Sequence, residues 1–517
     1  MEYSGKIDVS LSEILYGIFF GSILFVKGLG FYDGQAVFKL VLVFAAVCLF
    51  LKIATEKYAV SELFIMLAII VFTAVTYLFS GEKGMLLYGA MMIGMKYVDV
   101  KRVFALGTLL WGMAFLAITV TSLFHMEDTI YVVHSKLGMG HIFRWSLGYP
   151  HPNVLQVSYF ILAVFIIYLL EDDFKLKHAV YLFAGNCLVF LYSVSYTGFA
   201  VMICLLAGRL YLCMRKKLCI VEKFLLMLIF PVCVLTSLVA PVAIKGRLFN
   251  TLNAVLSSRM ELAWRYLKPE YISLFGVRLS EITTESLTMD NAYLFAFITY
   301  GIIPFVLLCF MTIWAIYKYL KSDKYLEVLI LLSITIGGLT EPFLYNTSFK
   351  NLSFVLIGAL FFQSQREVKE RYLVPIKGLQ SLGRKFVLDI GKLTEIKAHL
   401  KKMMDFHWIK CLVGVAFAVI ICLAVNCAVC YPLGYVVYRD DCADLTKEKN
   451  YYEEDNPEYA GFRRMEKFQQ GEEIEYFSGN IILMEKIRNN VTGAVLGYIA
   501  GYVITGIAVV GKERRKR

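Results

Sequence analysis
Long apolar blocks recur along the whole chain, and they decide what it can fold into. Residues 37–53, 63–79, 103–124, 154–170, 224–239, 411–431 and 491–510 carry almost no charge. Crossing a hydrocarbon core takes about 17–25 residues of this kind. A soluble protein would alternate apolar and polar faces. At 59% hydrophobic residues and a mean hydropathy of +0.65, this chain has too few polar residues to do so. About fourteen spans are expected on the length criterion. Backbone groups in lipid must be satisfied internally, so the spans are helices and the fold class is an all-α polytopic membrane protein. The first block, residues 14–29, follows an acidic start without a small-residue cleavage site. It reads as the first span rather than a signal peptide.

Basic residues orient the spans. With the N-terminus in the cytoplasm, the loops at 52–57, 96–102, 171–178, 209–223, 318–324, 366–410 and 512–517 fall inside, and they hold the lysine and arginine clusters. The reverse would place Arg215-Lys216-Lys217 and Arg514-Arg515-Lys516-Arg517 outside, against the positive-inside rule. A multi-pass plasma-membrane protein with both termini cytoplasmic is expected. This topology accounts for the net charge of +11, so the lipid bilayer is the expected partner and nucleic acid is not. Three long segments lie outside: 125–153, 242–290 and the acidic 433–490. A composition break near 363 divides a transmembrane core, 1–363, from a basic cytoplasmic linker, 364–410. A two-helix hairpin, 411–517, then carries the acidic outer segment.

The stretch 242–290 holds Lys245, Arg247, Arg259, Arg265, Lys268 and Arg278 on the face where cations are scarce, which points to an anionic ligand. Residues 256–267 read as a short amphipathic helix. Ser258 and Glu261 match a capping box, Pro269 stops the helix, and Met260, Ala263, Trp264 and Leu267 share one face. Glu261 and Arg265 are four apart and can pair. Arg259 has no such partner. A cation in a first turn opposes the helix dipole at about 0.3–1 kcal/mol, unless a phosphate joins the guanidinium to free backbone N–H groups. Asp290 stands where the next helix would be capped, followed by Asn291. A carboxylate beside arginines could also accept a proton from a sugar hydroxyl.

Segment 125–153 holds four histidines, His125, His134, His141 and His151, together with Arg144. Their loose spacing is not that of a metal site, and neither metal nor other cofactor is expected. Pro152 suits a first helical position and makes His151 the cap of the next span, as proton acceptor or hydrogen-bond donor at the membrane surface. Glu341, before Pro342, marks another outer span end, where an ionisable residue is a functional candidate. The candidate anion ligands are therefore Arg144, Arg259 and Arg278, and the candidate proton acceptors His151 and Asp290. Further candidate substrate contacts are Asn153, Arg265, Asn291 and Glu341. No P-loop, zincin or serine-hydrolase motif accompanies them.

Four stretches carry a family resemblance through their order, spacing and placement against the spans. They are Leu147-Gly148-Tyr149-Pro150-His151-Pro152-Asn153; Ser193-Val194-Ser195-Tyr196-Thr197-Gly198; Leu256-Ser257-Ser258-Arg259 with Trp264 and Leu274-Phe275-Gly276; and Asp290-Asn291-Ala292-Tyr293-Leu294 running to Tyr300-Gly301. Over residues 10–363 the chain resembles the Wzy-type polysaccharide polymerases of Gram-positive-type capsule and exopolysaccharide loci, within the O-antigen ligase/polymerase superfamily. The resemblance implies a GT-C-like, metal-independent glycosyltransferase. Such an enzyme moves a growing glycan from one undecaprenyl diphosphate to another lipid-linked repeat unit at the outer face. Its implied partners are undecaprenyl-diphosphate-linked oligosaccharides, a flippase and a chain-length regulator. Arg259 matches the arginine ahead of the tryptophan. Asp290 replaces the histidine of the ligases' His-Asn pair, and Tyr196 stands where arginine is common. Two alternatives stay open. A lipid-linked oligosaccharide flippase or transporter would hold its cations in a cavity between spans, whereas these spans read as nearly uncharged. A ligase of the same superfamily would share most of these features.

The layout predicts that single cysteines placed through 242–290 react with a membrane-impermeant maleimide added to intact cells, and that cysteines through 366–410 do not. The reverse pattern would overturn the orientation.

Overall fold
The computed structural model describes residues 6–126, 129–135, 138, 140–215, 217–256, 258–279, 289–362, 372–373, 385–389, 408–437, 462–465, 474–476 and 479–514. In chain order its helices are α1 Leu11–Gly28, α2 Ala36–Thr55, α3 Val60–Ser80, α4 Gly84–Ile93, α5 Val100–Phe124, α6 Pro152–Leu170, α7 Leu176–Ser193, α8 Tyr196–Met214 and α9 Ile220–Leu238. Three shorter helices follow, α10 Ala240–Ala243, α11 Gly246–Val255 and α12 Arg259–Tyr266. The rest are α13 Ala292–Phe295, α14 Ile302–Lys321, α15 Tyr325–Gly337, α16 Ser353–Phe362, α17 Trp408–Ala428 and α18 Gly479–Arg514.

Ten of these helices are long and apolar enough to cross a membrane, namely α1, α2, α3, α5, α6, α8, α9, α14, α17 and α18. The chain is an all-α, multi-pass membrane protein. Fourteen long spans were expected; three of the apolar blocks instead fold as the short helices α4, α15 and α16. α7 has 18 residues but carries Lys177, His178 and Asn186. α6 is the most enclosed of the ten, and it packs against α5, α7 and α8. α17 is almost wholly exposed on the protein surface, as a lipid-facing helix would be.

α15 and α16 are short because residues 338–352 leave the helix between them, yet most of this segment is buried. Irregular backbone inside a membrane protein survives only where protein satisfies its polar groups. Here side chains and one amide do so, carbonyl by carbonyl. Ala292 N donates to Gly338 O at 2.8 Å, Asn291 Nδ2 to Leu339 O at 3.0 Å, and Arg259 Nε to Thr340 O at 3.0 Å. Tyr88 Oη donates to Phe343 O at 3.0 Å, Asn351 Nδ2 to Leu344 O at 2.8 Å, and Tyr300 Oη to Tyr345 O at 2.6 Å.

Strands are few. Tyr131–Ser135 and His141–Trp145 pair antiparallel as a hairpin that carries Arg144. Lys6–Ser10 pairs with Lys385–Asp389, and Tyr58–Ala59 with Tyr372–Leu373, so the described pieces of the basic linker are tied to the starts of α1 and α3. The acidic pairs expected at 440–441 and 453–455 lie outside the described residues.

Two motif glycines have a steric reason. Gly276 (φ +95°) and Gly301 (φ +86°) meet backbone to backbone, and a Cβ on Gly276 would lie 2.1 Å from Thr299 O. Only glycine allows both the conformation and the approach. Gly276→Ala should therefore destabilise the protein by at least about 2 kcal/mol. Detergent-solubilised protein followed by fluorescence-detected size exclusion on heating should show a clearly lowered midpoint; an unchanged midpoint would contradict the packing.

Candidate functional site
Arg259 begins α12, and burial governs its role. It is 8% exposed, with Nε on Thr340 O at 3.0 Å and Nη1 on Leu256 O at 3.2 Å. Leu256 closes α11, so the guanidinium serves carbonyls that helix ends leave without partners. Nη2 then stands 3.6 Å from Asp290 Oδ2 and 3.6 Å from Glu341 Oε1. Both contacts exceed hydrogen-bond length. The guanidinium is fixed by backbone and only loosely held by carboxylates.

Arg144 is likewise oriented by a main-chain carbonyl. It is 5% exposed, donates from Nε to Ser193 O at 2.8 Å, and from Nη2 to Asn153 Oδ1 at 2.6 Å. Ser193 ends α7 and leads into Val194, a β-branched residue in the left-handed region (φ 43°). Such a conformation costs about 1–3 kcal/mol and persists only where its surroundings enforce it. A buried chain does so in part: Ser193 Oγ donates to Gln156 Oε1 at 2.8 Å, and Gln156 Nε2 to Asn186 Oδ1 at 2.6 Å.

Between the arginines lies Glu341. Its Oε1 is buried without a hydrogen-bond partner. Burial pushes the carboxyl up to about 8, despite the opposing pull of Arg259, Lys350 and Arg144, so it holds its proton near neutrality. Burial also lowers Arg144, to about 10, with Arg259 acting in the same sense and Glu341 against it; Arg144 stays charged. Lys350, from the same irregular connection, is lowered by burial to about 7. Its Nζ lies 3.2 Å from Ser158 Oγ and over the Trp111 ring at 5.7 Å, so it reaches among α5 and α6.

His151 caps α6 ahead of Pro152, as expected, and its Nδ1 accepts the Asn153 N–H at 3.1 Å. A neutral ring in this arrangement carries its proton on Nε2, which makes that nitrogen a donor rather than a base. Other expectations need correction. Asn291, not Asp290, caps the next helix. Its Oδ1 accepts from Tyr293 N and Leu294 N, and its Nδ2 donates to Ser237 Oγ and Leu339 O. These use the full capacity of an amide, so Asn291 is a brace and not a substrate contact. The Ser258–Glu261 capping box does not form. Ser258 is left-handed (φ 65°), and Asn253 Oδ1 takes the Glu261 N–H instead. On α12 the buried face is Arg259, Met260, Ala263 and Tyr266, while Trp264 is exposed. Arg265 pairs with Glu261 at 2.7 Å on the surface. Arg278 is exposed with its side chain beside Gly81 at the end of α3, not between Arg144 and Arg259. The side chains of His134 and His141 lie outside the description. Sequence reasoning missed Lys350, whose only signal was its position in the polar run after Glu341. It also took the spans as nearly uncharged, whereas Lys27, Lys52, Arg209 and Arg488 are buried on helices.

Among the described residues no three His, Cys, Asp or Glu side chains gather as a metal set. The site is two anchored guanidiniums, a part-exposed carboxylate at Asp290, a buried protonated carboxyl and a buried amine. Chemically it can hold a compact multivalent anion and take a proton beside it. Comparison of the chain with protein-family models, curated proteins and solved structures finds no match.

Glu341 gives a stability test. Its folded value is raised, so the stability tied to the protonated form is complete below about 4.5 and is lost as pH rises through about 8. Glu341→Gln should melt higher than the parent, by a margin that widens between about pH 5 and pH 9. A margin independent of pH would contradict the burial.

Proposed function
We propose that the chain is a polysaccharide polymerase at the outer face of the plasma membrane, a metal-independent, GT-C-like glycosyltransferase using lipid-diphosphate-linked donor and acceptor. One observation carries this reading. Two arginines from separate outer segments, Arg144 and Arg259, are buried, are held by main-chain carbonyls, and both act on the charge of Glu341, whose Oε1 has no hydrogen bond. Guanidiniums held by backbone need no carboxylate to stay in place, so their remaining donors suit a diphosphate. Ten helices are long enough to span; counting α4, α7, α15 and α16 as passages too would give an even number with both termini on one side, and the basic loops favour the cytoplasmic one.

In the reaction, the acceptor hydroxyl oxygen bonds to C1 of the donor sugar as the bond from C1 to the diphosphate oxygen breaks. The electron pair leaves with undecaprenyl diphosphate, whose growing charge Arg144 and Arg259 stabilise. The hydroxyl proton goes to Asp290, beside Arg259. His151 donates a hydrogen bond to a sugar or phosphate oxygen. Flippase and chain-length proteins are the partners this role needs, along with the lipid-linked oligosaccharides.

The buried Lys350 and Glu341 favour one second reading, a lipid-linked oligosaccharide flippase with charges set among its helices. The two separate in cells. Arg259→Ala and His151→Ala should remove long polymer while the protein still inserts, with single repeat units collecting on lipid at the outer face. The loss of rate for Arg259→Ala should be about 10²–10³-fold. Arg259→Lys should also be impaired, because a point charge replaces a planar fork. Units collecting on the inner face would favour the flippase; normal chain lengths on gels of lipid-linked glycans would overturn the assigned roles.

A further inference from the structure
The C-terminal hairpin is mostly packed on itself, α17 against α18, but one face of α18 is set into the core. Met484, Arg488 and Thr492, spaced four apart, share that face. Met484 packs with Ile142 and Val194 in a small buried cluster. Thr492 Oγ1 is 2.7 Å from Tyr192 Oη. Arg488, 2% exposed, donates from Nε to Leu191 O at 2.6 Å and from Nη2 to Phe143 O. Tyr435, on the same module, meets the Phe143 ring edge-on at 5.1 Å.

These contacts fall on two segments already described. Arg144 joins its own strand to the end of α7 through Ser193 O. Arg488 joins the same strand and the same helix end through Phe143 O and Leu191 O, one residue away on the strand and two on the helix. The turn they flank holds Val194 in its left-handed conformation. A buried arginine is expensive to place at such a depth unless its donors are used. Here they are spent on carbonyls beside the anion site, not on groups of its own module.

We infer that Arg488 is a positioning residue. Through it the C-terminal hairpin locks the strand and the α7 end that aim Arg144, so the anion site is complete only with α18 docked. The strut stands on this geometry; that it serves a diphosphate rests on the function proposed above.

The test uses the full chain in lipid nanodiscs and two readouts. The first is the affinity for undecaprenyl diphosphate. Arg488→Ala should weaken it about as much as Arg144→Ala does, on the order of tenfold. The double variant should be no weaker than Arg144→Ala alone, because both changes act through one group. Arg488→Lys should recover part of the affinity by keeping one donor. The second readout is maleimide labelling of a thiol introduced as Val194→Cys, a position 1% exposed. Labelling should rise about tenfold when Arg488→Ala or Met484→Ala is added, following the fraction of opened turn. Should Arg488→Ala fail to fold, Arg488→Lys and Met484→Ala carry both measurements. Additive losses with Arg144→Ala, or unchanged labelling, would overturn the strut. Raised labelling in a parent protein that does not bind undecaprenyl diphosphate would leave the strut standing and remove the diphosphate reading.

Discussion
Carbonyl groups that lose their helical partners inside a membrane protein must find donors elsewhere, and arginine is the side chain with donors to spare. This exchange organises the region around Arg144, Arg259 and Arg488. Arg144 serves Ser193, Arg259 serves Leu256 and Thr340, and Arg488 serves Leu191 and Phe143. Each charge is removed from water at a real cost, and each carbonyl would be costly alone. Together they offset one another, and the cations end up fixed in direction. A cation fixed by main chain keeps spare N–H groups for a ligand, whereas one held by a close carboxylate does not.

The broken region between α15 and α16 depends on the same rule. Side chains of Tyr88, Asn291 and Tyr300, together with Asn351 of the stretch itself, supply donors to residues 339–345, so a non-helical stretch can pass through the interior. That stretch delivers Glu341 and Lys350 to a place no regular span would put them. Burial raises the acid against the pull of Arg259 and Arg144, and lowers the amine against the pull of Glu341. The C-terminal hairpin, separable by composition, is joined to this arrangement through one face of α18 and the Tyr435 ring.

Local signals in the sequence were readable where one short segment settled the outcome. Pro152 admits few conformations, so His151 could be placed as a cap from four residues of context. The Glu261–Arg265 pair needed only helical spacing. Signals failed where a neighbour in space decided. Ser258 and Glu261 fit a capping box on spacing, but the turn from α11 puts Ser258 in the left-handed region and brings in Asn253. Asp290 and Asn291 are equally good caps on composition; the choice fell to Asn291 because Ser237 and Leu339 O occupy its amide. Arg278 and Arg259 look alike as cations in one loop, yet only one is buried.

Chain chemistry alone therefore settled the class of the protein. Hydrocarbon admits helices, apolar blocks of sufficient length make them, and basic loops suggest which side each faces. Which charged residues come near one another was decided only in three dimensions. Beside the nearby Leu256 O and Asn153 Oδ1, the partners of Arg144, Arg259 and Arg488 are main-chain carbonyls tens to hundreds of residues away, and a carbonyl leaves no mark in an amino-acid sequence.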